Sequence, residues 1–215
     1  MQIRLKCDLV KVWKGKVISM AGFAEINRKT KETDIQMSLT LDGKGKSDIK
    51  TGIGFFDHML SGFAKHGFFD LTISVNGDLD VDGHHTVEDT GIVLGQAVKK
   101  AIGDKTGMKR YGFFILPMDD ALCLCSIDLC GRPYLGFECD FPTERVGELE
   151  TELIKEFFYA VSYSCGMNIH IKMLSGENTH HMIEAMFKAF GKALDEATTK
   201  DSRIDDVLST KGSLA

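Results

Sequence analysis

Proline is scarce, with three in 215 residues, and no stretch is biased toward Gly, Ser or Pro. That argues against loosely tethered domains. No apolar run approaches the length of a membrane span, and no charged-then-apolar leader opens the chain. A soluble, cytoplasmic protein with no membrane contact is therefore expected. Positive charge is not in excess either: 26 Lys and Arg stand against 31 Asp and Glu, a net charge of −5. No electrostatic footprint for nucleic acid results. The six cysteines include no CxxC and no zinc-ribbon spacing. Cys123 and Cys125 alternate with Leu122 and Leu124 as strand packing would place them, so buried free thiols are expected rather than disulfides.

Histidine is also uncommon, and its distribution carries the information. Four of the seven histidines fall in two copies of His-His-x-x-Glu: His84-His85-Thr86-Val87-Glu88 and His180-His181-Met182-Ile183-Glu184. Each copy opens a stretch with helical hydrophobic spacing, Val87 to Ala97 in one and Ile183 to Leu194 in the other. On a helix, His84 shares a face with Glu88 and His180 with Glu184, while His85 and His181 point about a quarter-turn away. Two facing helices of this kind can build a binuclear metal centre. Imidazole and carboxylate together suit Zn, Mn or Fe. The order is not HExxH, so a peptidase mechanism does not follow. A single copy could be a solvated helix start; two copies favour ligation.

Alternation predicts strands over Asp34–Leu41, Leu71–Val75, Ala121–Leu129, Tyr134–Phe137 and Ile169–Leu174. Helices are predicted near 56–66, 86–102, 151–165 and 181–197. The two histidine pairs lie 96 residues apart, and Gly77 and Gly176 close matching strands 99 apart. The helix carrying His58 then falls opposite the helix carrying Glu156. An α+β fold is expected: two similar strand-and-helix halves from an internal duplication, with sheets packed against helices. The 215 residues would form a single catalytic domain of two pseudo-repeats, about 20–105 and 106–200, with a short C-terminal tail. The equivalence of His58 and Glu156 supplies a fourth ligand for each metal. One site would take His58, His85, His180 and Glu184, the other His84, Glu88, Glu156 and His181. Glu156 could instead be a solvated carboxylate. His170, within Ile169-His170-Ile171, reads as a structural strand histidine, and His66 as a helix-end residue favoured by the C-terminal dipole.

Three stretches carry a family resemblance: Thr51-Gly52-Ile53-Gly54-Phe55-Phe56-Asp57-His58-Met59-Leu60, His84-His85-Thr86-Val87-Glu88-Asp89 and Asn178-Thr179-His180-His181-Met182-Ile183-Glu184-Ala185. With Thr30-Lys31-Glu32-Thr33, Gly131-Arg132-Pro133-Tyr134 and the tail Ser209-Thr210-Lys211-Gly212, they resemble imidazoleglycerol-phosphate dehydratase. The likeness covers nearly the whole chain after about residue 20. It implies a hydro-lyase of histidine biosynthesis that converts imidazole glycerol phosphate to imidazole acetol phosphate. It also implies two manganese ions per active site, two similar halves, and a 24-subunit homo-oligomeric shell with active sites between subunits.

The implied chemistry suits this ligand set. The C–H that must be lost is not acidified by a carbonyl. An imidazole held through both nitrogens by two divalent ions can become imidazolate, push out the neighbouring hydroxyl, and lose the next C–H to give an enol that tautomerises to the ketone. The resemblance places Glu32 as the proton-shuttling carboxylate, with Glu184 the other catalytic one. His58, His66, His84, Glu88 and His180 would line the substrate, and Arg110, Arg132, Lys188, Ser209 and Lys211 would hold its phosphate. Without the resemblance, Glu32 and these cations read as surface residues.

Four positions depart from the family pattern: Gly83 in place of an aspartate before the histidines, Gly62 for a glutamine, Glu156 for a histidine, and Leu208 for a proline. Two other readings of the ligand set are a binuclear phosphoesterase, which would release inorganic phosphate, and a non-enzymatic shell stapled by metal.

Overall fold

The computed structural model describes residues 22–214, preceded by the backbone of an antiparallel hairpin of β1 (Lys11–Trp13) and β2 (Lys16–Ile18). Cys7, one of the cysteines expected to be a free thiol, lies outside the described residues. Alternating side chains then build the first sheet. In β4 (Thr33–Thr40), Ile35, Met37 and Leu39 are buried, and in β6 (Asp70–Gly77) so are Leu71 and Ile73. With β3 (Phe23–Lys29) and β5 (Ser47–Lys50) these form a four-stranded sheet in the order β3-β4-β6-β5. The first two pairings are antiparallel. The β5–β6 pairing is parallel, its crossover made by α1 (Gly54–His66), and α2 (His84–Ile102) follows.

The second half repeats this plan. β7 (Tyr111–Met118), β8 (Ala121–Asp128), β12 (Asn168–Ser175) and β9 (Tyr134–Glu138) are ordered β7-β8-β12-β9, again with one parallel pair at β9–β12. That crossover holds a small hairpin, β10 (Arg145–Val146) with β11 (Leu149–Glu150), and α3 (Glu152–Cys165); α4 (Thr179–Thr198) closes the half. The chain is α+β, with each mixed sheet packed on helices, as the hydrophobic patterning implies. β3, β5, β7 and the small hairpins are additions to the strands that alternation alone reveals.

The helices do not stay with their own halves. α1 packs on α4 and α2 on α3, so each pair joins one helix from either half. The α1–α4 and α3–α4 seams are aromatic. Phe157 stacks on Phe187 with centroids 5.1 Å apart, and Phe63 on Phe190 at 5.2 Å; all four rings are fully buried. Such pairs add directional preference to the large area they bury. Two glycines allow the helices to approach this closely. A Cβ on Gly95 of α2 would lie 2.6 Å from the Val161 carbonyl oxygen on α3, and one on Gly191 of α4 would lie 2.6 Å from that of Phe63 on α1. The two positions are 96 residues apart, the same offset as the histidine pairs.

Cys123, Cys125, Cys130 and Cys165 are buried free thiols and Cys139 a half-buried one. Burial pushes the Cys123 and Cys165 thiols up to about 12, which keeps them protonated and unreactive.

Gly95→Ala should force α2 off α3. The expected cost is about 1–3 kcal/mol, typical of overpacking, read as a lower midpoint in denaturant unfolding followed by circular dichroism. An unchanged midpoint would mean that the seam yields without cost.

Candidate metal centre

The α1–α4 crossing brings imidazoles from both halves to one carboxylate. His58 lies on the first turn of α1, where the Asp57 carboxylate accepts the Thr51 backbone N–H at 2.9 Å and the Thr51 hydroxyl at 2.6 Å, fixing the loop that enters the helix. Asn178 caps α4, its side chain accepting the His181 N–H at 3.3 Å, as expected of a good N-cap residue. Glu184 Oε2 then stands 3.2 Å from His180 Nε2 and 4.0 Å from His58 Nε2, and Glu184 Oε1 is 2.8 Å from Lys188 Nζ. The Phe55 ring packs edge-on against His180 at 5.0 Å.

Ligand atoms of His58, His180 and Glu184 all lie within 4.8 Å of one another, the one such group of three among the described residues. Two neutral nitrogens and an anionic oxygen are a donor set that fits Mn, Zn or Fe. The carboxylate is almost fully enclosed, at 11 % exposure. Burial alone would raise its pKa, but the Lys188 hydrogen bond and charge, with His58 and His180 beyond, outweigh burial and lower it. It is therefore anionic when a cation arrives.

The other residues singled out by spacing are placed differently. His84 and Glu88 pair at 3.8 Å on the half-exposed start of α2. Glu156 sits half-buried on α3 beside a cavity of about 830 Å³ that also touches Glu152, Lys155, Gly176 and Met182. Within one chain, then, His84, Glu88, Glu156 and His181 are not gathered as a ligand cluster, and His85 does not join His58. Each second histidine instead leans on an aspartate. His85 Nδ1 is 3.0 Å from Asp78 Oδ2, and His181 Nδ1 is 2.6 Å from Asp120 Oδ1. These hydrogen bonds, working against burial and reinforced by neighbouring carboxylates, raise the pKa of both imidazoles. Asp78 and Asp120 carry no sequence signal beyond their places in polar turns.

Glu32 occupies the turn between β3 and β4, with Oε1 3.8 Å from His85 Nε2. Its carbonyl accepts the Asp78 backbone N–H at 3.1 Å. The hairpin is pinned to α2 from below: the Thr33 hydroxyl and the Arg28 guanidinium both meet the buried Asp89 carboxylate. At Gly83, the Asp82 carboxylate accepts the His84 backbone N–H at 2.8 Å and so supports the start of α2, although not the imidazole.

The expected phosphate ligands divide into two places. Arg110, Arg132, Ser209 and Lys211 line a cavity of about 940 Å³ under the C-terminal tail. The Arg110 fork is already used there, with Nε and Nη2 donating to Asp128 at 2.7 and 3.0 Å and Nη1 to the Leu208 carbonyl at 2.7 Å. Lys188 is elsewhere, on Glu184. A Cβ on Gly62 would meet the Lys188 stem at Cγ, 3.9 Å away, an ordinary contact. His66 stands in the last turn of α1, as the helix-end reading places it, with burial first and then Lys188 lowering its pKa. His170 packs its ring against Tyr134 at 5.3 Å on the sheet.

Fold and cluster together define a duplicated α+β chain with a histidine–carboxylate centre fit for a divalent cation. Residues 51–194 match the profile of the family described as imidazoleglycerol-phosphate dehydratase. The chain belongs to that family, whose members are hydro-lyases of histidine biosynthesis. It is 65 % identical to the imidazoleglycerol-phosphate dehydratase of Lachnoclostridium phytofermentans, covering 89 % of this chain and 97 % of the relative. It is 60 % identical to that of Acetivibrio thermocellus, over 88 % and 97 %. Among solved structures, the Staphylococcus aureus dehydratase superposes with a TM-score of 0.76 at 41 % identity, covering 83 % of this chain and 99 % of that one. The Pyrococcus furiosus enzyme, in complex with (S)-C348, gives 0.77 at 40 %, over 88 % and 100 %.

Glu184→Gln removes the one anionic donor of the cluster. Calorimetric titration of the metal-stripped protein with Mn²⁺ should show affinity weakened by at least about tenfold, or ~1.4 kcal/mol. An unchanged isotherm would exclude Glu184 as a ligand.

Proposed function

We propose that the chain removes water from D-erythro-imidazole glycerol phosphate to leave imidazole acetol phosphate. It does so in the cytoplasm as one catalytic domain of two pseudo-repeats, with two manganese ions per active site, in a 24-subunit homo-oligomer. The observation that carries this reading is the convergence of His58, His180 and Glu184 from opposite halves on one point. His84, Glu88, His85 and His181 remain at half-exposed helix starts, where a second copy can reach them. The edge strand β7 supports assembly, because it exposes Tyr111, Phe113 and Ile115 along one face, an apolar patch of the kind that neighbours cover.

When bound, divalent ions would supply Lewis-acid stabilisation of negative charge on the substrate's imidazole. Every other task falls to side chains. His58, His84, His85, His180 and His181, with Glu88, Glu156 and Glu184, form the ligand sets, and His66 lines the substrate. The hydroxyl leaves the carbon next to the ring as water, carrying the proton that the ring nitrogen gave up. Glu32 takes the proton from the following carbon to give the enol. The ketone forms when Glu32 returns that proton to the carbon next to the ring and the enol O–H proton passes to the ring nitrogen. The pinned hairpin beneath Glu32 keeps this carboxylate beside His85 while leaving it half-exposed to substrate. Arg110, Arg132, Ser209 and Lys211 of one copy and Lys188 of another gather cations for the phosphate, which an acidic chain must do locally. No helix among the described residues is long and apolar enough to cross a membrane.

Metal-stripped protein titrated with Mn²⁺ on imidazole glycerol phosphate should yield ketone without inorganic phosphate; phosphate release would point to a hydrolase. Glu32→Gln should lower turnover by about 10²–10⁴-fold, the range for a lost general acid–base, with metal content unchanged. Retained turnover would remove Glu32 from the chemistry. Chelation should disperse the large particle in sedimentation, and an unaltered particle would show that metal does not hold it together.

A further inference from the structure

The second histidine of each HHxxE pair has a carboxylate behind it, and the two carboxylates are held very differently. Asp120, in the turn between β7 and β8, gives Oδ1 to His181 Nδ1 at 2.6 Å. Its Oδ2 accepts the backbone N–H groups of Glu177 at 2.6 Å and Asn178 at 2.9 Å. With Oδ2 committed to two amide donors, Oδ1 is the acceptor turned to the imidazole. An ionised carboxylate only accepts hydrogen bonds, so the proton on His181 must sit on Nδ1. Nε2, on the outer edge of the ring 3.5 Å from Asp119 Oδ2, is the nitrogen left to face a ligand.

Asp78, just after β6 in the loop that leads to α2, does the same for His85 through Oδ2 at 3.0 Å. Its Oδ1, by contrast, is buried with no hydrogen-bond partner among the described residues. Neither first histidine has such a support. His84 and His180 are paired through Nε2 with the glutamate one turn along their own helix.

We infer that Asp120 and Asp78 are positioning residues that fix the Nδ1–H tautomer and the ring plane of His181 and His85, so that Nε2 of each is presented to metal, and that Asp120 does so the more rigidly. The inference rests on the reading of His85 and His181 as ligands. Outer carboxylates of this kind orient ligating imidazoles generally.

The unequal anchoring predicts unequal responses to one atom's change. In Asp120→Asn the two backbone amides still require an oxygen, so the side-chain NH₂ is forced toward His181 Nδ1. That imidazole must then carry its proton on Nε2, where a metal can no longer bind, although the loop keeps its bonds. In Asp78→Asn nothing fixes the orientation of the amide, which can turn its oxygen to His85 and keep the productive tautomer.

Calorimetric titration of the metal-stripped, full-length protein with Mn²⁺ tests this. D120N is expected to weaken binding by about 10–100-fold, the range for lost outer-shell partners, without lowering the melting temperature of the metal-free protein. D78N should lose distinctly less, and Asp120→Glu, which keeps an ionised acceptor, should recover most of the affinity. D120N binding like wild type while His181→Ala loses metal would overturn the inference and leave the ligand assignment standing. His181→Ala binding like wild type would overturn that assignment itself. Equal losses in D120N and D120E would mean that Asp120 acts through its loop, which also overturns it. Should D120N not fold, Asp78→Ala, which removes the His85 acceptor without breaking a loop bond, is expected to cost at least about tenfold, and no loss there would defeat the inference.

Discussion

The crossing of helices between halves is the constraint on which everything else depends. α1 belongs to the first sheet's crossover and α4 to the second half, and the cluster of His58, His180 and Glu184 exists because these two helices touch. α4 also meets α3 of its own half through Phe157, Phe158, Phe187 and Phe190, but only its contact with α1 brings His180 and Glu184 to His58. The approach is set by backbone contact at Gly191, not by the metal-binding side chains. The ligand geometry is thereby built into the hydrophobic core, where close packing leaves little freedom for drift. The buried phenylalanines of α1, α3 and α4 lie directly beneath the site and hold both helices that supply it.

Much of this was legible before any coordinates. Helix starts at His84 and His180 announce themselves by the change from turn residues to a periodic apolar face, and β4 and β8 by strict alternation. β7 was hidden because Phe113-Phe114-Ile115-Leu116 is apolar without a break and runs into Pro117, a pattern that fits neither period. Its exposed face serves contacts that lie outside one chain. The duplication was also visible, because offsets of 96 to 99 recur in the histidine pairs, the strand-closing glycines and the helices of His58 and Glu156; the seam glycines, 96 apart, emerge only from the packing. What spacing could not reveal is pairing through space. Asp78 and Asp120 look like ordinary turn residues, and Asp89 like one more charge on a helix, until the fold sets them against His85, His181 and the Arg28–Thr33 hairpin. The division of the proposed phosphate ligands between the tail cavity and Lys188 is likewise a property of topology.

Duplication has not meant equality. The turn between β3 and β4 carries Glu32 on a stem clamped to Asp89, leaving the carboxylate uncommitted. The matching turn between β7 and β8 commits its Asp120 fully to a neighbouring loop and an imidazole, and the second helix has Ala185 where the first has Asp89. One turn leaves its carboxylate exposed, as the proposed proton transfer by Glu32 requires, and the other ties its carboxylate into the frame.

Lys188 gives the centre one more property. An enclosed carboxylate with no cationic partner would oppose folding, since an unpaired charge in such a place costs several kcal/mol. The ammonium one turn along α4 neutralises Glu184 from within the same helix. It is an internal stand-in for a cation, so a metal ion binding at the proposed centre would exchange one positive partner of Glu184 for another.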